Sequence, residues 1–181
     1  MDWGKADDWK SIEDDLVNSI LALERAGADF AIIATNTMHY LYDSLNKRTN
    51  IPILNLVEVV SDHAQKLQIK KIGLLGTKFT MTHDFYPKAL SNAGIETIVP
   101  DSDDQKVIND IIFHELTKGI ITYESKDKYL KIINDLVKKG AEGVILGCTE
   151  IPLLIKQDDL KIHVLDSSKL HAEAALKYAL D

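Results

Sequence analysis

The chain has one cysteine in 181 residues. An internal disulfide is therefore excluded, and nothing points to an oxidising compartment. No apolar run approaches the roughly 18–20 residues that a membrane-spanning helix needs. The opening Met1-Asp2-Trp3-Gly4-Lys5 lacks the apolar centre of a secretory signal. Positive charge is scarce as well: 21 Lys+Arg stand against 28 Asp+Glu, a formal net charge of -7. Lys70-Lys71 and Lys138-Lys139 are isolated pairs, so no basic cluster offsets the total, which argues against a nucleic-acid partner. No Pro/Gly/Ser-rich linker or low-complexity segment divides the chain. These absences leave a soluble, cytoplasmic protein of one domain or two close-packed lobes as the expectation.

What is present is an alternation of helical and strand patterns. Ile12, Leu16, Ile20 and Leu23 share a helical face that stops at Gly27. Phe30 to Ala34 reads as a short strand buried on both faces. A turn from Thr35 then leads into a helix, with Asn36 or Thr37 as its N-cap. Further strands are expected at Pro52–Leu54, Lys71–Leu75, Glu96–Val99, Gly143–Leu146 and Ile162–Leu165. Helices are expected at about Val57–Leu67, Tyr86–Asn92, Asp104–Lys118, Lys126–Lys139 and Ser167–Leu180. Such alternation predicts an α/β fold with parallel sheets covered by helices. Sheets of this kind bind ligands beyond the carboxyl ends of their strands. Thr35-Asn36-Thr37, Gly76-Thr77, Cys148-Thr149-Glu150 and Asp166-Ser167 all fall there.

One passage is written twice. Gly27 to Thr37 aligns without gaps against Gly140 to Glu150, and the alignment sets Thr35 against Cys148. Two such units facing each other would put Thr35 and Cys148 on opposite walls of one cleft. A proton-transfer group on each wall suits chemistry at both faces of a carbon. A lone cysteine after an apolar strand is also commonly just a small buried hydrophobe. Here it follows Gly147, which admits close approach of backbone or ligand. It also stands at an expected helix start, where amides and the helix dipole lower a thiol pKa from about 8.5.

Asn36-Thr37 with Met38-His39, and Gly147-Cys148-Thr149-Glu150 with Ile151, resemble the two signature segments of the aspartate/glutamate racemase family. Gly76-Thr77, Glu115-Leu116-Thr117-Lys118-Gly119 and Asp166-Ser167-Ser168 with His171 extend the resemblance over essentially the whole chain. The resemblance implies two pseudo-symmetric Rossmann-like or flavodoxin-like lobes, residues 1–66 with 166–181 and residues 67–165. It implies a cofactor-independent 1,1-proton transfer on aspartate or glutamate, with no metal. Cys148 would be the principal acid/base, and Thr35 would hold the opposing slot, where the family usually has a second cysteine. Asn36, Thr37, Thr77, Thr149 and Glu150 would bind the substrate's α-carboxylate and ammonium, and Lys118 a side-chain carboxylate. The family often forms homodimers.

Two departures qualify what the resemblance implies. Thr35-Asn36-Thr37-Met38-His39 resembles a branch with threonine for cysteine, and a hydroxyl is a far weaker acid than a thiol. Proton transfer through Thr35 would need a relay or a water, so slow or one-directional racemisation is expected. Family members also open with a Gly-rich βα unit of about 30–50 residues, which has no counterpart ahead of the first helix here, so the first lobe is expected to be truncated. Two alternatives stay open: a single-cysteine decarboxylase of the same superfamily, and a non-catalytic homologue that only binds a carboxylate.

Overall fold

Both copies of the doubled passage fold as a helix, a left-handed glycine turn and a strand. In the computed structural model, which describes residues 8–181, helix α1 spans Trp9–Arg25 and helix α7 spans Tyr123–Lys138. The reading of Met1–Lys5 lies outside the described residues. Gly27 (φ 87°) ends the first helix, and the Ala28 and Gly27 amides donate to the Leu23 and Glu24 carbonyls. Gly140 (φ 97°) ends the second, with Ala141 and Gly140 donating to Leu136 and Val137. This is one Schellman motif used twice, at a φ that only glycine adopts without strain.

The strands that follow differ. β1 covers only Ala31–Ile32 and pairs with β2 (Ile53–Leu54) in a two-stranded parallel sheet. β5 covers Gly143–Gly147 and lies between two partners in a parallel sheet of order β4-β3-β5-β6. The other members are β3 (Lys71–Gly76), β4 (Glu96–Ile98) and β6 (His163–Asp166). A strand buried on both faces over Phe30–Ala34 is therefore not what forms: Ala31 and Ile33 are buried, while Ile32 is 44% exposed. The α1 and α2 side chains cover the Ala31 and Ile33 face of β1, and Ile32 points the other way.

The four-stranded sheet is covered on both sides. Ile72, Leu74, Ile145 and Leu165 pack under α3 (Leu56–Lys66) and α5 (Phe85–Asn92), with Leu170 of α9 (Ser167–Leu180) against the same core. Leu75, Val144 and Leu146 pack under α6 (Ser102–His114) and α7. The alternation along β3 and β5 is the period-2 pattern of strands buried on both faces. Helix α3 thus shares a core with the four-stranded sheet. A third core joins α1 and α2 (Tyr42–Arg48) to the small sheet through Val17, Ile20, Ala31, Leu45 and Ile53.

Three further differences from the sequence reading concern loops. Asn36 does not cap a helix; a 3-10 turn (Thr37–Leu41) precedes α2, and the Asn36 side chain makes no capping bond. Helix α6 stops at His114 rather than running to Lys118, because Glu115 leaves helical geometry and Gly119 turns left-handed (φ 71°). The Glu115 carboxylate then accepts from the Ser125 hydroxyl at 2.6 Å, which pins the turn to the start of α7. Helix α4 (Lys78–Thr82) had no clear periodic signal, and the helix expected to start at Cys148 is the four-residue α8 (Ile151–Leu154). Among the described residues no helix is long and apolar enough to cross a membrane.

Gly76 and Gly147 are register partners at the carboxyl ends of β3 and β5. A Cβ on Gly147 would lie 2.7 Å from the Leu75 carbonyl oxygen, and one on Gly76 would lie 2.9 Å from that of Gly147. The obstacles are backbone and cannot swing aside. Gly147→Ala is therefore expected to destabilise the protein by about 1–3 kcal/mol, read as a lower urea midpoint. An unchanged midpoint would show that the strand ends have room to spare.

Candidate active site

The strand ends open onto one cavity of about 1060 Å³. Thr35, Asn36 and Thr37 line it from the first copy of the repeat; Gly147, Cys148, Thr149 and Glu150 line it from the second. Thr77 completes the polar rim, where its hydroxyl caps α4 by accepting from the Thr80 amide. Thr35, Asn36, Thr37, Thr77, Cys148, Thr149 and Glu150 are thus brought together. Lys118 is not: the turn that carries it contributes Thr117 to the lining, while Lys118 itself is exposed.

Cys148 is half-buried, and its thiol donates to Glu150 Oε2 at 2.9 Å. The Thr149 hydroxyl donates to the same oxygen at 2.8 Å. Burial pushes the thiol up to about 12, and the bond to the Glu150 carboxylate and its negative charge push the same way. The backbone amides of Glu150 and Thr149 pull downward, as a turn before a helix should, but are outweighed. The expected depressed pKa is therefore reversed. Burial is the largest cause; a carboxylate also faces the sulfur, and helix α8 has only four residues, Ile151–Leu154. Cys148 rests as a thiol, with a carboxylate placed to take its proton.

That arrangement separates two properties that usually move together. Glu150→Gln removes the charge that raises the thiol, so alkylation of Cys148 at pH 8 is expected to speed up about tenfold. The same change removes the proton acceptor, so catalytic proton transfer is expected to slow about a hundredfold. Iodoacetamide kinetics and α-hydrogen exchange on the same samples read both. If alkylation and exchange fell together, Glu150 would be only a packing group.

On the part of the cavity lined by the first copy of the repeat, His39 braces Thr35. The ring is buried, its Nδ1 bonds the Thr35 carbonyl oxygen at 2.8 Å, and its Nε2 accepts from the Leu56 amide at 3.0 Å. Those partners require a neutral ring with the proton on Nδ1. Both nitrogens are committed to backbone, so His39 holds the loop and is not the base for the Thr35 hydroxyl. Burial lowers its pKa from 6.5 to about 4, and His171 at a 5.7 Å centroid distance is a second buried ring.

Because the folded-state pKa of His39 lies below its unfolded value, the neutral ring contributes stability that is fully present above about pH 6.5. That contribution is lost as pH falls through 4, and amounts to at most about 3 kcal/mol. His39→Gln cannot charge, so its loss of urea stability between pH 7 and 4 is expected to be smaller than in the parent. Equal losses would remove His39 as the titrating group.

Three buried side chains tie the walls together. Tyr86 donates to Asn36 Oδ1 at 2.5 Å, Asn36 Nδ2 donates to Ser167 Oγ at 3.0 Å, and Ser167 donates to the Leu146 carbonyl at 2.8 Å. Asn36, Tyr86 and Ser167 are all almost wholly buried. The chain of bonds runs from α5 through the Thr35 loop to the strand that carries Cys148. A satisfied buried network of this kind fixes relative position. Ser167 stood at a strand end in the sequence, but nothing distinguished Tyr86 from an ordinary core residue. The remaining walls were also missed. Trp9, three residues before Ile12 on the same helical face, carried a readable signal; Phe79 and Phe113 did not.

A profile of the Asp/Glu/Hydantoin racemase family matches residues 4–175. The chain is 30% identical over 152 residues to a glutamate racemase of Aquifex pyrophilus, a match covering 81% of this chain and 57% of that protein. It is 24% identical over 161 residues to a broad-specificity amino-acid racemase of Bacillus subtilis, covering 89% and 69% respectively. Among solved structures, an aspartate racemase homologue from Pyrococcus horikoshii superposes with a TM-score of 0.88 at 37% identity, covering 98% of this chain and 78% of that one. The chain spans 57% and 59% of the length of two glutamate racemases that it matches.

Proposed function

The chain belongs to the Asp/Glu/hydantoin racemase family, and on that footing we propose that it moves a proton on and off the α carbon of an amino acid without an organic cofactor. Cys148 is the principal acid/base, and Thr35 occupies the opposing slot. The observation that carries this reading is the convergence of Cys148, its carboxylate partner Glu150 and the Thr35 loop on one cavity. With substrate bound, the Cys148 proton passes to Glu150 and the thiolate removes the α hydrogen. The α-carboxylate takes up the charge as an enediolate. The Thr37 hydroxyl and the second Nδ2 hydrogen of Asn36 are the donors to that carboxylate, the Thr149 hydroxyl being held by Glu150, and a donor aimed at developing charge lowers the barrier more than it tightens substrate binding. Reprotonation by Cys148 returns the starting enantiomer and the thiolate regains its proton from Glu150, whereas a solvent proton delivered by way of Thr35 inverts it, with the Glu150 proton released to solvent.

The names of the relatives run from aspartate and glutamate to broad specificity, so an amino acid is the shared substrate class. Incubation with amino acids in deuterated water tests the reading. The expected result is deuterium at the α carbon, catalysed by the protein; no incorporation with any amino acid would remove the proposal.

A second reading rests on the unequal walls. A thiol facing a threonine is also suited to protonating an enediolate left by decarboxylation of a malonate-type acid. Release of carbon dioxide from such an acid, without exchange on amino acids, would favour it.

A further inference from the structure

The cavity has a polar end and an apolar end. Around Cys148 the groups are hydroxyls, an amide and one carboxylate. The rest of the lining is mainly Trp9 and Ile12 from α1, Phe79 from α4, and Ile112 and Phe113 from α6, with Met38, His83, Asn109 and Thr117 beside them. Among the described residues no lysine or arginine lines the cavity, and Glu150, its one carboxylate, is already bonded to Cys148 and Thr149.

This wall is organised in advance of any ligand. The Trp9 and Phe79 rings lie 4.9 Å apart between centroids, and Tyr40 braces both at 5.2 and 5.4 Å. His83 stacks on Phe79 at 3.6 Å, with its Nδ1 bonded to the Phe79 carbonyl oxygen. Rings that support one another present apolar surface without having to be ordered by the substrate. A second carboxylate here would lose its hydration, find no lysine or arginine among the described lining residues and face the charge of Glu150. An apolar chain would instead remove its own surface and that of the rings from water.

We propose that the amino acid taken by this site has an uncharged apolar side chain, seated against Trp9, Phe79 and Phe113 while the polar end holds its α-carboxylate and ammonium. The proposal rests on the proton-transfer reading of the same cavity and adds its side-chain preference. It departs from the expectation of aspartate or glutamate, which came from the family resemblance and gave Lys118 as the side-chain partner.

The test uses the 181-residue chain with L-methionine, L-leucine, L-alanine, L-aspartate, L-glutamate and L-lysine. Calorimetric binding is measured alongside α-deuterium exchange. Methionine and leucine are expected to bind and exchange at least about tenfold better than either acidic amino acid. Phe79→Ala is expected to lower kcat/KM for methionine about tenfold more than for alanine, whose side chain is too short to reach the rings. Aspartate or glutamate matching methionine would overturn the apolar preference and leave the proton-transfer reading standing. Lysine as the best substrate would overturn it too, in favour of a cation held against the ring faces. Tighter binding of methionine than of glutamate without exchange would uphold the preference and remove the catalytic reading. Absence of both binding and exchange would remove both.

Discussion

Cys148→Ala is expected to cut α-hydrogen exchange by between about a hundredfold and ten-thousandfold, the range that a positioned acid/base supplies. The loss should fall on kcat and leave substrate binding nearly intact, because in the proposed mechanism the sulfur acts on the reacting carbon while Thr37 and Asn36 hold the carboxylate. The substitution is also structurally mild. Glu150 keeps the Thr149 hydroxyl at 2.8 Å when the thiol is removed, so no carboxylate is left without a donor. Single-turnover exchange with a urea unfolding curve on the same sample separates the chemistry from the fold. Exchange persisting in the alanine variant would place the base elsewhere.

Thr35→Cys is expected to act in the opposite direction. A thiol in place of the hydroxyl supplies an acid of usable strength on the second wall, and inversion should rise by about ten- to a hundredfold. The fold should tolerate the change for a specific reason. His39 holds the Thr35 carbonyl, not its side chain, at 2.8 Å, so the loop keeps its brace whichever side chain it carries. Chiral chromatography of products reads inversion directly. No gain would mean that Thr35 does not face the reacting carbon.

Much of the architecture was readable from Gly27 and Gly140. The doubled passage set two helix stops, two strands and two reactive turns in order, and the paired Schellman motifs are what that repetition encodes. Strand length was not readable, since it depends on how many neighbours a strand has. β5 lies between partners and extends to Gly147, while β1 has one and covers Ala31–Ile32. Ile32 is exposed for a different reason: the helical core covers only the Ala31 and Ile33 face of β1.

The polar end of the site was legible because its residues sit at strand ends, where parallel sheets gather ligands. The state of Cys148 was not. Its pKa depends on burial and on where the Glu150 carboxylate swings, and two residues of sequence separation do not determine that direction. Lys118 illustrates the converse. Glu115 pins its turn to Ser125, and the lysine on that turn ends exposed. Tyr86 and Phe79 lay in short helices without distinctive spacing, so the network and the aromatic wall appear only when tertiary packing brings them to the cavity.

The most direct measurement follows exchange and inversion separately, starting from each pure enantiomer of one amino acid in deuterated water. With Cys148 strong and Thr35 weak, the enantiomer whose α hydrogen faces Cys148 should gain deuterium faster than it inverts, and its mirror image should exchange slowly. Equal exchange from both enantiomers, or inversion keeping pace with exchange, would contradict the unequal roles assigned to Cys148 and Thr35.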